Sequence, residues 1–224
     1  MGGSLAGIVL FSILTTNSAP AADDHPIYRY QESTGKSVKT FTWRHRSSPP
    51  QEVITVEEED GIFVNLCDRT GQTLSWKATK TGHSSIQAVR RGNQLQLSGI
   101  SSGKQISVTE QIDDRPWYQP LSYSLRPFLD SAESEISFWT IRADSLEVVA
   151  MQAEKGPIEE IMVAGEKVAA QRVKISRTGL LASLWQGTFW FRLTDRIFVR
   201  YQAVHGPPGT DETIVQLREE AHGD

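Results

Sequence analysis

The chain has little cysteine and no excess of positive charge. Its 224 residues include a single cysteine, Cys67, so no internal disulfide can form, and we expect an inert strand residue there. The formal net charge of -4 disfavours nucleic acid and anionic membrane surfaces as partners. Hydrophobic residues make up 38% of the chain, as in ordinary soluble globular proteins, so burial of an apolar core must supply the stability.

A long apolar run is also missing. The uncharged apolar stretch at residues 5–14 is too short for a membrane-spanning helix, which needs roughly 20 residues. The pattern Ala19-Pro20-Ala21 follows it and is typical of a secretory cleavage site. We therefore predict a signal peptide over residues 1–22, although residues 1–4 lack the usual Lys or Arg. The mature protein is then periplasmic or otherwise exported, with no stable membrane span.

Catalytic and metal-binding patterns are absent from the sequence as well. Asp113 and Asp114 are adjacent, and the carboxylates of two adjacent residues in a strand point to opposite sides unless the chain bends. The acidic run at 57–60 is typical of a solvated hairpin tip, and neither a Gly-x-Ser-x-Gly motif nor a phosphate-binding glycine loop occurs. We predict no catalytic, metal or cofactor site and a non-enzymatic protein. The histidines also lack the close spacing of metal ligands: His25, His45, His83, His205 and His222.

The sequence does have regular β-strand alternation, with turn signals roughly every 8 to 12 residues. This predicts a mainly β fold: a large curved antiparallel meander sheet or an open barrel. We expect one β-rich domain over 23–219, divisible into halves at 23–114 and 115–219, and a disordered tail over 220–224. Individual expectations are that residues 146–154 and 158–164 form separate strands, and that Ile62, Val64 and Leu66 share one face.

One short helix is predicted near the middle of the chain. Leu121, Leu125 and Phe128 recur at helical spacing after Pro120, and Pro127 limits the length of the helix. We expect this helix to cover one face of the sheet as a lid.

The stretch 184–217 predicts a β-hairpin that leads through a turn into a third strand at 213–217. Its apolar residues share one face only if Leu193 lies opposite Ile197, which leaves a loop of three residues. Since that loop has no glycine, Asp195 or Arg196 must adopt a left-handed conformation. The inward pairs are then Phe189 with Tyr201, Phe191 with Val199, Gly187 with Ala203, and Trp185 with His205; the outward pairs are Trp190 with Arg200 and Arg192 with Phe198.

These pairs define two candidate sites. Gly187 opposite Ala203 leaves a notch, which either the helix or an apolar ligand could fill. The candidate ligand pocket comprises Gly187, Phe189, Phe191, Val199, Tyr201, Ala203, Leu121, Leu125 and Phe128. The candidate outer-face contact comprises Trp190, Arg192, Phe198 and Arg200.

The second half of the chain contains a series of short motifs: Leu121-Ser122, Ser124-Leu125-Arg126, Gly165-Glu166 with Val168, the Trp190 strand ending at Leu193-Thr194-Asp195, and Val199-Arg200-Tyr201. In order and spacing these motifs resemble an uncharacterised family of exported Gram-negative bacterial proteins, known as a domain of unknown function. The resemblance spans about residues 117–217 and implies a periplasmic β protein without an established catalytic residue. By architecture only, the chain is similar to lipoprotein-localisation carriers, in which a curved sheet and a helical lid enclose an apolar cavity.

Two functional hypotheses remain open at this point. In the first, the protein binds a lipid-like or other apolar molecule between sheet and helix. In the second, it is an envelope interaction or structural module with a filled core, and its partner is another envelope protein.

Overall fold

The computed structural model describes residues 26–82, 84–179, 185–204 and 209–222. The predicted signal peptide and His205 lie outside these residues. The first eight strands are β1 Pro26–Thr34, β2 Ser37–Ser48, β3 Gln51–Glu58, β4 Gly61–Cys67, β5 Thr73–Lys80, β6 Ser84–Arg91, β7 Gln94–Ser101 and β8 Lys104–Gln111. Two short helices follow, α1 Leu121–Ser124 and α2 Arg126–Asp130. The remaining strands are β9 Glu135–Ile141, β10 Val148–Val163, β11 Glu166–Arg177, β12 Gln186–Arg192, β13 Phe198–Val204 and β14 Glu212–His222.

Within the described residues, these fourteen strands form one antiparallel sheet that does not close, so the predicted mainly β meander is confirmed. Sequential hairpins give the order, except that β1 pairs with β14. The two ends of the described chain therefore meet in the middle of the sheet. The edges, β8 and β9, come from the middle of the chain.

The stretch between β8 and the helices bridges β5 and the β9 edge. Thr73 N donates a hydrogen bond to Trp117 O at 2.8 Å, and Tyr118 N donates to Trp139 O at 2.8 Å. The Gln119 side chain adds two bonds to the Ile141 backbone, donating to its carbonyl at 2.8 Å and accepting from its N–H at 3.0 Å. The chain therefore enters the helices from a fixed position.

The helices confirm the predicted lid. Leu125 and Phe128 are buried and join the main core, together with rings from β1, β2, β12 and β13. The side chain of Trp43 in β2 donates from Nε1 to Ser122 Oγ at 3.1 Å, which ties α1 to the sheet. Pro127 stands at the start of α2, where its missing N–H costs no helical hydrogen bond.

The two strands predicted at 146–154 and 158–164 are one strand, β10, with a bulge between Lys155 and Ile158. The bulge accommodates Pro157, which has no N–H for a regular ladder. Beyond it, the β10–β11 hairpin lies over the outer face of the sheet, where the Gln216 side chain of β14 donates to Met162 O at 2.6 Å.

The predicted disordered tail is also wrong where it is described. Residues 220–222 belong to β14, because β1 pairs with it as far as Pro26 with His222. Residues 223 and 224 lie outside the described residues.

The β12–β13 hairpin has the predicted pairs Gly187–Ala203, Phe189–Tyr201 and Trp190–Arg200. A bulge then shifts the register, so Phe191 pairs with Phe198 instead of Val199. The turn is closed by Arg192 N donating to Ile197 O at 2.8 Å, so the predicted pairing of Leu193 with Ile197 is wrong. Arg196, with φ of 60°, adopts the left-handed conformation that was expected of it or of Asp195.

Candidate functional site

An apolar cavity of about 360 Å³ lies between the inner face of the sheet and the start of α1, and it opens to solvent. Inward residues of three neighbouring strands form its floor, because Trp43 pairs with Val56 and Val56 pairs with Phe63. The β12–β13 hairpin and α1 supply the opposite side. The aromatic wall comprises Phe41, Trp43, Phe63, Trp76, Phe189 and Phe198.

Three of the nine sequence-predicted pocket residues line this cavity: Leu121, Phe189 and Tyr201. The rings of Phe189 and Tyr201 lie 4.7 Å apart, so both point inward as expected. The other six residues do not line the cavity. Phe191, Val199, Leu125 and Phe128 are buried within the core, and Gly187 and Ala203 are buried beside it.

The notch at Gly187 is filled by the sheet itself. A Cβ placed on Gly187 would lie 2.9 Å from Tyr201 Cε2 and 3.4 Å from Trp185 Cη2. These two rings occupy the space that we expected the helix or a ligand to fill. The open volume lies farther along the sheet, over β2 to β5.

The outer-face residues also differ from expectation. Phe198 is 6% exposed and lines the cavity, because the bulge turns it inward. Trp190 points outward but is only 8% exposed; its Nε1 donates to Glu159 of β10 at 3.1 Å, and the Arg200 guanidinium lies 5.3 Å from its ring centre. Arg192 forms ion pairs with Asp195 and Glu220 instead of covering a ring. Neither aromatic side chain of the candidate outer-face contact, Trp190 or Phe198, is therefore exposed.

Asn65 is the cavity residue that sequence reasoning missed. Phe63 and Asn65 face inward, whereas Ile62 is exposed, so the apolar alternation at Ile62, Val64 and Leu66 belongs to the opposite face. Pairing with β3 could have revealed the inward position of Asn65. A turn of two residues joins β3 to β4, which places Asn65 opposite the buried Ile54. Asn65 is 3% exposed, and its Oδ1 has no hydrogen-bond partner among the described residues.

The mouth of the cavity is acidic. Glu32 and Glu58 line it, and Glu59 and Asp60 continue the rim beside Lys39. Burial raises the pKa of the Glu58 carboxyl, and the neighbouring Asp60 raises it further. The acidic hairpin tip therefore faces the cavity opening as well as solvent.

Reactive groups elsewhere in the described residues do not assemble a catalytic constellation. Cys67 is fully buried, and burial raises the pKa of its thiol to about 12 despite a hydrogen bond with Thr73. His45 Nε2 lies 2.8 Å from Glu52 Oε2, but Glu52 is buried and also accepts from Ser47, as a structural pair does. Among the described residues, no three His, Cys, Asp or Glu side chains could hold a metal ion.

No family model matches the sequence, and no curated protein matches it. A solved structure with a related fold is a β-barrel-like protein of the domain of unknown function DUF1849 from Brucella abortus. The two chains are 10% identical, with a TM-score of 0.62 over 91% of this chain and 100% of the other. At that identity the likeness shows the fold alone: this chain shares the β-barrel-like architecture of an uncharacterised bacterial protein.

Two weaker likenesses are to the hypothetical lipoprotein YmcC from Escherichia coli and to a DUF1329 family protein from Desulfovibrio piger. The first is 10% identical, with a TM-score of 0.38 over 87% of this chain and 84% of the other. The second is 8% identical, with a TM-score of 0.23 over 91% of this chain and 87% of the other. No conclusion about this chain rests on either.

Among the residues that the structure describes, none of the helices has the length and apolar character needed to cross a membrane.

Proposed function

We propose that this protein is a non-enzymatic, exported binding protein of the bacterial envelope that holds a lipid-like or other apolar molecule. The observation that carries the proposal is the open cavity of about 360 Å³. Small-molecule pockets typically measure roughly 300–1,000 Å³ and have mostly apolar walls. Aromatic side chains from five strands line this cavity although water can enter it, and removing that apolar surface from water is favourable.

The surrounding architecture supports the same proposal. The cavity floor is a continuous part of the sheet, and α1 is tied to it through Trp43 and Ser122. The walls are therefore preorganised, so a ligand would not have to order them on binding. The predicted signal peptide supports export to the periplasm.

Extraction of the purified protein followed by mass spectrometry tests this proposal, together with titration of a fluorescent apolar probe. Val56→Trp places an indole inside the cavity between Trp43 and Phe63, so we expect it to abolish probe binding and to remove any bound lipid. Ile62→Trp is the matched control, because Ile62 lies on the next strand but is 47% exposed on the outer face.

The envelope interaction module with a filled core is the alternative that the same experiment addresses. It predicts no extracted lipid, no probe binding to the unmodified protein, and no difference between the two tryptophan variants. Those results would overturn the carrier proposal, provided that circular dichroism shows all three proteins folded.

A further inference from the structure

Asn65 places a polar group in an otherwise apolar part of the cavity. It lies between Ile54 and Trp76 across the sheet, and both of these neighbours are buried. The residue is only 3% exposed, yet Oδ1 bonds to none of the described residues. A carboxamide can donate two hydrogen bonds and accept two, and buried polar groups almost always have a partner. The amide therefore has unused hydrogen-bonding capacity beside the cavity.

Gln119 provides the contrast. It carries the same functional group and also lines the cavity, but both ends of its amide are bonded to the Ile141 backbone. Gln119 therefore holds the chain in place, whereas Asn65 Oδ1 makes no such bond to any residue that the structure describes.

Ser122 adds a second polar group, on the helix side of the cavity. Its Oγ accepts a hydrogen bond from Trp43 Nε1 at 3.1 Å, so its own hydroxyl proton is left to donate. Asn65 and Ser122 together offer donors and an acceptor but no charge. A hydroxyl, an ester carbonyl or an amide of a ligand matches this chemistry.

The charged residues that line the cavity disfavour an anionic ligand group. The described lining residues include Glu32 and Glu58 but no Lys, Arg or His. A bound carboxylate or phosphate would lose its hydration without gaining a cation, and it would face two carboxylates of the protein. Lys39 and Lys80 lie close enough to Glu58 to lower its pKa, so this carboxylate already has cations of the protein near it and does not need a cationic ligand group.

We propose that the ligand is an uncharged amphiphile, whose acyl or other apolar part lies against the aromatic wall while one hydroxyl, ester or amide group bonds to Asn65 and Ser122. This inference rests on the proposed function of the cavity and specifies its ligand class.

Three probes of equal chain length test the inference on the full mature protein: a monoacylglycerol, the corresponding free fatty acid and the corresponding alkylamine. At neutral pH we expect the monoacylglycerol to bind about tenfold or more tightly than the fatty acid, as one buried hydrogen bond and an unpaired charge would require. Tighter binding of the fatty acid or of the alkylamine would overturn the uncharged class. This comparison needs no variant, so it holds even if a substitution prevents folding.

Asn65→Leu separates the role of the amide from that of the cavity. We expect it to weaken monoacylglycerol binding about tenfold while leaving a purely apolar fluorescent probe unaffected or bound more tightly. An unchanged monoacylglycerol affinity would mean that only water or the fold uses the amide, and would overturn the inference. If no amphiphile and no apolar probe binds to the unmodified protein, the proposed function itself fails.

Discussion

Tyr30 is expected to stabilise the curvature of the sheet through one hydrogen bond. It is 2% exposed on β1, and its hydroxyl donates to Phe198 O on β13 at 2.7 Å. Strand β14 lies between these two strands, so the bond spans it on the inner face. Phe198 is at the bulge, where the pairing of β12 with β13 shifts. The bond therefore connects the bulge to β1, the strand that pairs with β14.

The substitution Tyr30→Phe removes this bond and keeps the ring, which stacks 5.2 Å from Phe41 and 5.3 Å from Phe198. An unpaired buried acceptor costs roughly 1–3 kcal/mol, so we expect the free energy of unfolding to fall by about 2 kcal/mol. For a protein of this size, that corresponds to a decrease in Tm of roughly 4–8 °C. Urea denaturation followed by circular dichroism should show a lower midpoint with an unchanged slope.

Tyr118→Phe is the matched control. Tyr118 is also buried and packs 5.3 Å from the Phe138 ring, but its hydroxyl makes no hydrogen bond to the described residues. Its removal should change the free energy of unfolding by less than about 0.5 kcal/mol. Equal destabilisation by the two substitutions would refute the reasoning, because loss of the Phe198 bond could then not be the cause.

Three further predictions concern buried groups. Burial raises the pKa of all five tyrosines, that of Tyr123 to about 12. Their contribution to stability is therefore complete below pH 10 and is lost as pH rises above it. Phenolate absorbance should appear only with alkaline unfolding, and free titration near pH 10 would contradict this expectation. The Cys67 thiol should react with a thiol reagent only as the protein unfolds, and rapid labelling of the folded protein would contradict its burial. Leu125→Ala should lower the free energy of unfolding by about 2–5 kcal/mol in urea denaturation, because Leu125 belongs to the lid and is fully buried against the sheet; a change below about 1 kcal/mol would mean that the lid contributes little to the core.

Local chemistry made the last hairpin and the lid predictable. Alternation of side chains predicts the pairs Phe189 with Tyr201 and Trp190 with Arg200, because β12 and β13 are consecutive in the sequence and pair with each other. Leu121, at helical spacing after a proline, gives both the helix and one wall of the cavity. Where a bulge inserts an extra residue, as at Val199, alternation no longer determines the face.

The cavity itself was harder to predict because β4 has apolar residues at both sets of alternating positions. Ile62 and Val64 make a regular stripe, but Phe63 and Asn65 are the residues that face inward. The choice depends on the pairing with Ile54 in β3. Because Asn65 is polar, the inward-facing residues of β4 do not form a regular apolar alternation.

The sequence by itself determined the antiparallel strands, the hairpin that brings aromatic rings to one face, and the short helix, because each depends on residues close together in the chain. Only the tertiary structure decided that β1 pairs with β14, that the β10–β11 hairpin covers Trp190, and that an open volume remains above Asn65. These features depend on the twist of the whole sheet and on the packing of strands that are distant in sequence. Local alternation and spacing of residues do not determine either of them.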